Sequence, residues 1–392
     1  MRWRILALLF AARIALGMQF QTMASVGDKV GLVFGMDYTE IGMLIGLFML
    51  PGIFIAFPAG LLGRFVSDRI LVVSGLAALA AGGVVTSIGS DFAVIGVGRL
   101  LAGLGFIFAS LYFNKMVADW FEGREIATAM SILVMSWPLG IAIGQVGHVW
   151  LADTLAWQAP FQFTSAYCAM AAICVAVMYR APNDLPPLAT AGSMSLLPRE
   201  WQLTIAAGLA WGLFNAAYVV YLTFGPLKLV ELGHTNIGAS SMASIASWLM
   251  VLSGALCGQI ADRFGGRNVM LGICMAAAVP GFYLLTIPGG GLAASLLFGL
   301  VIVAPAGVIM SLVGEAVARE RRAFGMGVFF TIYYVITMAG PPVSGAILDA
   351  TGSLNATLSF GAFLFLLVLP SVALFHFSKH TCRQSLAQGR KT

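Results

Sequence analysis

The sequence predicts an all-α membrane protein whose twelve transmembrane helices form two six-helix halves, and three observations support this fold class. Of its 392 residues, 60% are hydrophobic and only 9% are charged, whereas soluble domains carry about 25% charged residues. Its apolar runs are about 20 residues long, which matches a hydrocarbon core of roughly 30 Å. A membrane-spanning barrel would instead show alternating segments of roughly ten residues. The third observation is the placement of the basic residues, which tests the number of helices.

The predicted helices are apolar runs bounded by charged or turn-forming residues. The N-terminal half, residues 1–179, contains six of them, at 5–27, 40–62, 70–89, 92–117, 126–150 and 159–179. A polar linker at 180–200 follows and contains Pro182, Pro186, Pro187 and Pro198. The C-terminal half, residues 201–377, contains the other six, at 202–226, 239–261, 268–287, 292–315, 323–347 and 356–377. We expect the linker and the tail at 378–392 to be cytoplasmic.

The basic residues lie mostly on one predicted side of the membrane. If both termini are cytoplasmic, the cytoplasmic segments hold 17 of the 21 Lys and Arg residues, namely Arg2, Arg4, Arg64, Arg69, Lys115, Arg124, Arg180, Arg199, Arg263, Arg267, Arg319, Arg321, Arg322, Lys379, Arg383, Arg390 and Lys391. This is the positive-inside pattern, and it predicts a multi-pass protein of the inner (plasma) membrane. An odd number of helices would disrupt the pattern from the missed helix onward. The count of twelve therefore has support that is independent of hydropathy.

Two pairs of short segments indicate that the halves are repeats. The segment 262–265 after predicted helix 8 is similar to the segment 63–65 after predicted helix 2, since both contain Arg-Phe. The segments 127–130 and 323–326 also match, and they lie 196 residues apart in a chain of 392. Many transporters are built from repeated halves, with the substrate site at the repeat interface.

The loop after predicted helix 8 resembles a motif of the major facilitator superfamily. That motif reads Gly-x-Leu-Ala-Asp-Arg-x-Gly-Arg-Arg between helices 2 and 3, and it is often repeated between helices 8 and 9. The second copy is nearly complete here, with Gly258, Asp262, Arg263, Gly265 and Arg267. In the first copy Gly63 stands at the acidic position. The resemblance implies the major facilitator fold, transport of a small solute and a monomer. It also implies that Asp262, Arg263 and Arg267 influence closure of the cytoplasmic side.

Further segments extend the resemblance over essentially the whole chain. Arg99-x-x-x-Gly103-x-Gly105 is similar to the family's helix-4 motif, which implies a conformational or coupling role for Arg99. The helix-5 motif of drug–proton antiporters ends in Gly-Pro, and that step is missing from residues 137–144. The segment 118–125 resembles the corresponding loop of cyanate- and nitrate-type permeases.

Arg13 is the most informative residue for the class of solute. It lies roughly eight residues into predicted helix 1, or about 12 Å by helical rise. A charge at that depth is costly unless it faces a cavity or a partner. A guanidinium group suits carboxylates and small oxyanions, and no acidic residue lies deep in any predicted helix. This combination predicts an anionic substrate. The alternative is that Arg13 extends to the surface or bonds backbone carbonyl groups.

Three helices supply the remaining candidates for substrate binding. Trp211, Asn215 and Tyr218 share one face of predicted helix 7 because they are spaced i, i+4 and i+7. The family resemblance implies that this helix lines the cavity. Gln21 lies about 80° around helix 1 from Arg13, and Gln145 of helix 5 completes the set. The alternative for the helix-7 residues is a packing face with one amide bonded between helices.

The leading hypothesis is a secondary active or facilitative transporter of a small organic or inorganic anion, working by alternating access. The alternative is an exporter of hydrophobic or cationic compounds, which would be expected to have a membrane-embedded acid. An enzyme would need clustered His, Asp, Glu or Cys residues at depth, and a sensor would carry a larger soluble segment. We therefore expect no catalysis, cofactor, metal site or nucleic-acid partner. The expected partners are the substrate, the lipid bilayer and, if transport is active, a coupling ion.

Overall fold

A computed structural model describes residues 2–63, 65–121, 125–182, 195–264, 266–318 and 321–388. Within these residues, twelve helices are long and apolar enough to cross a membrane. They are α1 Arg2–Phe34, α2 Tyr38–Gly60, α3 Asp68–Ser87, α4 Phe92–Phe121, α5 Thr128–Thr154, α6 Ala159–Met178, α7 Pro198–Glu231, α8 Asn236–Ala261, α9 Arg267–Thr286, α10 Gly291–Ala316, α11 Phe324–Thr351 and α12 Leu354–Lys379. No strand occurs in the described ranges. The predicted all-α fold with twelve spans is confirmed.

Most helices are longer than the apolar runs that predicted them. α1 reaches Phe34, and the last helix continues beyond Lys379 to Gln388, through residues predicted as a tail. Hydropathy marks only the part of a helix that lies in hydrocarbon, whereas the helix itself continues until a residue stops it. Gly352, with φ of 63°, is such a stop at the end of α11, because glycine adopts the left-handed conformation without steric cost.

Prolines account for three interruptions of the spans. α2 is interrupted at 48–49, between the segment Tyr38–Leu47 and a second segment that starts at Leu50. Pro51, the second residue of that segment, has no backbone N–H to donate. α9 changes helix segment just before Pro280. α10 contains a π-helical turn at Phe298–Ile302, and its last segment begins after Pro305. Such turns leave carbonyl groups unpaired within the helix and are often found at functional positions.

The helix ends form two faces of the molecule. We call the face at Arg2, Pro198 and Lys379 the terminal face, and the face at Phe34 and Thr351 the opposite face. The described ion pairs of the terminal face each lie within one half: Arg2–Glu125, Lys115–Asp68, Lys115–Asp119, Arg267–Glu315, Arg321–Glu200 and Lys379–Glu315. None of these pairs joins the N-terminal half to the C-terminal half.

The two halves meet along two seams, α2 against α11 and α5 against α8. In the α2–α11 seam the backbones approach closely. A Cβ atom added to Gly42 would overlap Pro341, and one added to Gly46 would overlap the carbonyl oxygen of Met338. Small residues allow this close approach. The resulting van der Waals contacts hold the helices together in lipid, where no hydrophobic driving force acts between them. Toward the terminal face the same seam is apolar, with the rings of Phe57 and Phe324 5.8 Å apart.

Candidate functional site

Arg13 lies in the interior of the N-terminal half and bonds only neutral groups. Its Nη1 donates to the backbone oxygen of Leu133 at 2.8 Å and to Oγ of Ser136 at 3.2 Å, both in α5. Its Nε is buried without a hydrogen-bond partner among the described residues, and 7% of its surface remains accessible. Arg13 is therefore buried in the protein, and the backbone-bonding alternative accounts for one nitrogen. Two of the three guanidinium nitrogens make no described hydrogen bond.

Arg99 is enclosed by the N-terminal half and is 0% exposed. Nε donates to the oxygen of Leu44 at 3.1 Å, Nη1 donates to the oxygen of Gln19 and to Oγ1 of Thr22, both at 3.2 Å, and Nη2 donates to the oxygen of Phe20 at 3.4 Å. The guanidinium carbon also lies 4.8 Å from the centre of the Phe48 ring. Arg99 thus ties α4 to α1 and α2, a geometry compatible with the predicted conformational role.

The interior therefore holds two cations and, in the described part of the chain, no acid bonded to either. Acidic side chains with described partners lie near the helix ends, such as Asp153 beside Lys29 at 2.5 Å on the opposite face. In a medium of low dielectric constant, unpaired guanidinium groups leave a positive electrostatic potential. Such a potential favours an anion over a cation.

Gln21 and Gln145, predicted separately, are brought together. Nε2 of Gln21 donates to Oε1 of Gln145 and, at 3.2 Å, to Oγ of Ser25. Nε2 of Gln145 donates to the backbone oxygen of Leu222 in α7 at 3.1 Å. These bonds form a polar bridge from α1 through α5 to the other half. Oε1 of Gln21 is buried with no described partner, so the bridge has an unused acceptor.

The three helix-7 candidates occupy different surroundings. Asn215 donates through Nδ2 to the oxygen of Trp211 in its own helix at 2.8 Å. The hydroxyl of Tyr218 is buried and bonds Oγ of Ser247 in α8 at 2.6 Å. Trp211 is half-buried and its ring lies 6.3 Å from that of Tyr333 in α11. The interhelical bond is thus made by Tyr218 and not by the amide of Asn215, to which the alternative assigned it. Trp211 and Asn215 keep partly accessible surfaces.

Aromatic rings lie near the arginines in the N-terminal half. Phe20, Phe48, Phe106 and Trp137 form a cluster whose ring centres are 5.1 to 5.7 Å apart. Trp137 directly follows Ser136, which bonds Arg13. Trp137 is half-buried, so this part of the site combines aromatic surface with a cation.

A cavity between the halves opens on the opposite face. Its volume is about 40 Å³, which is room for about three water molecules at 10–15 Å³ each. Gln145 lines it together with Asp28, Thr223 and Tyr38. A cavity of this size does not hold an organic solute. The described structure is therefore closed on the opposite face.

His148 and Asp349 were not among the predicted site residues. His148 is buried beside Gly144 and Gln21, with Nε2 3.1 Å from Oγ1 of Thr164 and Nδ1 without a described partner. The only signal for it was its spacing of three residues from Gln145. Asp349 bonds the start of α2 in the other half, a contact that sequence separation conceals. In the described ranges, no group of three or more His, Cys, Asp or Glu residues could hold a metal ion.

The predicted gating residues lie at the terminal face. Arg267 bonds Glu315 at 3.4 Å, and Glu315 also bonds Lys379 at 2.5 Å. Arg263 is exposed at the end of its helix. The side chain of Asp262 lies outside the described part of the chain, so its role in closure of the cytoplasmic side remains a prediction.

Comparisons with known proteins agree with this architecture. A profile of the Major Facilitator Superfamily matches residues 5–308 and 203–390. An agnestins efflux protein of Paecilomyces divaricatus is 27% identical over 283 residues, 68% of this chain, and the match spans 61% of the efflux protein's own length. A hexuronate transporter of Bacillus subtilis (strain 168) is 22% identical over 374 residues, 86% of either chain.

Solved structures share the fold at low sequence identity. The nucleoside transporter NupG has a TM-score of 0.74 at 16% identity, covering 94% of this chain and 100% of its own. A bacterial homolog of the human lysosomal transporter Spinster, in an inward-facing and occupied conformation, has a TM-score of 0.73 at 14% identity, covering 97% of both chains. Together with the twelve helices and the profile match from residue 5 to residue 390, these results show that the chain belongs to the major facilitator superfamily of transporters.

Proposed function

We propose that this protein transports a small organic anion by alternating access, and that Arg13 binds the anionic group. The observation that supports this proposal is a buried guanidinium whose described partners are one backbone oxygen and one hydroxyl. Nη2 and Nε have no described partner, and these two nitrogens form one edge of the planar fork that binds a carboxylate in a bidentate manner. An anion at this edge would also offset the charge of Arg13 in a medium where unpaired charge is costly.

Arg99 contributes to this selectivity without contacting the solute. All three of its nitrogens are engaged by α1 and α2, so its donors are occupied while its positive charge remains. Gln21, Gln145 and the half-buried Trp211 and Asn215 supply the neutral part of the proposed site. One curated relative is named a hexuronate transporter, and a hexuronate is a small organic anion. That name supports the proposed substrate class.

The alternative function is export of hydrophobic or cationic compounds. The aromatic cluster around Trp137 and the relative named an efflux protein favour it. A lipophilic cation beside Arg13 and Arg99 would meet like charge without a described acid to offset it. Because of this repulsion between like charges, we rank transport of an anion above export of a cation.

We further propose that both termini are cytoplasmic and that the protein resides in the inner membrane as a monomer. The charge asymmetry of the sequence supports this orientation. With it, the terminal face is cytoplasmic, and the structure is closed toward the outside. In this proposal the two halves, 1–179 and 201–377, move relative to each other during transport, and the segment 180–200 links them.

The test compares Arg13→Gln with Arg4→Gln in purified full-length protein. Arg4 lies in the same helix and is exposed, so the control removes the same charge from the surface. Melting temperature is measured against glucuronate, galacturonate, nitrate and a lipophilic cation. A ligand at 100 times its dissociation constant stabilises the folded state by about 2.7 kcal/mol.

The expected result is that one organic anion raises the melting temperature of the parent and of Arg4→Gln but not of Arg13→Gln. Uptake of that anion into proteoliposomes is then measured for the same three proteins. If only the cation raises the melting temperature, and equally in all three proteins, export becomes the better-supported function and Arg13 has a structural role.

A further inference from the structure

We propose that Asp349 is a gating residue that holds the opposite face closed by capping helix α2 of the other half. This inference concerns the transport cycle and does not depend on which solute the protein carries. It begins with the contacts of a single carboxylate at the end of α11. Oδ1 of Asp349 accepts from the backbone N–H of Tyr38 at 3.1 Å, while Oδ2 accepts from the N–H of Thr39 at 2.8 Å and from its hydroxyl at 2.6 Å.

These bonds use groups that α2 cannot satisfy by itself. The first N–H groups of a helix have no partner within the helix, and the helix dipole places positive charge there. Asp37, the residue before α2, accepts from the N–H of Glu40 but leaves those of Tyr38 and Thr39 free. Asp349 binds both, so a charge from one half completes the cap of a helix in the other half. Hydrogen bonds to an ionised acceptor are roughly twice as strong as neutral ones.

The backbones beside this cap are in direct contact. A Cβ atom added to Gly345, one turn before Asp349, would overlap the carbonyl oxygen of Tyr38. Gly42 is similarly pressed against Pro341. The end of α11 can therefore pack this closely against the start of α2 only because residue 345 is glycine.

The internal repeat supplies a counterpart that does not form the same cap. Asp153 precedes Asp349 by 196 residues, the same offset that relates Thr39 to Thr235, and Thr39-Glu-Ile-Gly is repeated as Thr235-Asn-Ile-Gly. The hydroxyl of Thr235 accepts from the N–H of Gly238 at 3.1 Å, so α8 is capped from within its own half. Asp153 instead pairs with Lys29 at 2.5 Å. Its contact across the seam is with Asn236, at 3.5 Å.

The position of the cap explains why it would act as a gate. Hydrogen bonds between the halves include those of Asp349, the Asp153–Asn236 contact and the bond from Gln145 to Leu222. All lie toward the opposite face. To admit a solute from that side, the halves must separate there and break these bonds. Because Asp349 makes three of them with a charged acceptor, it stabilises the closed state more than Asp153 does.

The experiment measures how often this gate opens. Ile45 is 1% exposed and lines the cavity on the opposite face, so Ile45→Cys reports opening through its rate of reaction with a hydrophilic maleimide. The labelling rate is measured in purified full-length protein, after subtraction of the rate of the native cysteines. Asp349→Asn is compared with Asp153→Asn, which makes the same chemical change at the position related by the repeat.

We expect Asp349→Asn to raise the labelling rate about tenfold, a typical size for a coupling between two states, and Asp153→Asn to change it less than twofold. If Asp349→Asn is poorly folded, Gly345→Ala replaces it, since the added methyl group forces the same seam apart while the carboxylate remains. Equal rates in the parent and both seam variants, or equal increases for the two aspartate variants, would overturn the proposal. No substrate is added, so the outcome is independent of the anion proposed above.

Discussion

Replacing Arg99 with lysine separates a structural arginine from one that binds solute. In the structure the guanidinium of Arg99 makes four hydrogen bonds to α1 and α2, and its partners are Leu44, Gln19, Thr22 and Phe20. A lysine keeps the charge but concentrates its donors at one atom. It can replace the two bonds of Nη1, whereas those of Nε and Nη2 point to other carbonyl groups and are lost.

The expected cost follows from these two lost bonds. Side-chain hydrogen bonds in membrane proteins average about 0.6 kcal/mol, and bonds to charged groups in soluble proteins are worth about 1.5 kcal/mol or more. Two bonds therefore correspond to a loss of about 1 to 3 kcal/mol in the free energy of unfolding. This loss of stability is smaller than the loss expected when the cation is removed, because lysine keeps the positive charge beside the Phe48 ring.

Unfolding of Arg99→Lys is measured by a denaturant titration of the purified protein, beside Arg4→Lys as the exposed control. We expect a clear loss of stability for Arg99→Lys and none for Arg4→Lys, with solute affinity within about threefold of the parent. The reasoning is refuted if stability is unchanged while binding of the solute is lost, because Arg99 would then contact the solute and not the helices.

Three further substitutions test other parts of the site. Gly17→Ala places a methyl group against the backbone of α5 and should lower the free energy of unfolding by about 1 to 3 kcal/mol; an unchanged thermal melt would contradict the close α1–α5 contact. Gln145→Leu removes the bond to Leu222, and we expect the solute to raise the melting temperature of this variant less than that of the parent. An equal rise in melting temperature would show that Gln145 does not bind the solute. Tyr218→Phe deletes the bond to Ser247 and should lower the free energy of unfolding by about 1 kcal/mol without changing solute binding. Loss of solute binding at unchanged stability would show that Tyr218 contacts the solute.

The fold was largely predictable because hydrophobicity and charge act locally along the chain. A run of about 20 apolar residues must be a helix in lipid, since each backbone group has to be bonded within the segment. The twelve predicted runs all correspond to described helices. The helix ends were less predictable. The cap of α2 by Asp37 and Glu40 and the stop at Gly352 lie outside the apolar pattern.

The residues proposed for the candidate site were chosen from the sequence, whereas their hydrogen-bond partners were not predicted. Depth in an apolar run identified Arg13 and Arg99, because a charge in hydrocarbon is rare whatever its neighbours are. Its angular position relative to Arg13 identified Gln21, and Gln145 was a further candidate on helix 5, but nothing in the sequence indicated that they bond each other 124 positions apart. Tyr218, chosen from the shared face of helix 7, is held by α8.

The amino-acid sequence alone predicts that this chain crosses the membrane twelve times and holds two cations without a deep acid. Those properties follow from composition and periodicity, which each segment expresses alone. The groups that the cations bond and the way the halves meet became apparent only in the three-dimensional structure. Asp349 caps a helix that begins 311 positions earlier, and Arg13 bonds an oxygen 120 positions away. Such contacts depend on the packing of whole helices against one another, and no local pattern records that packing.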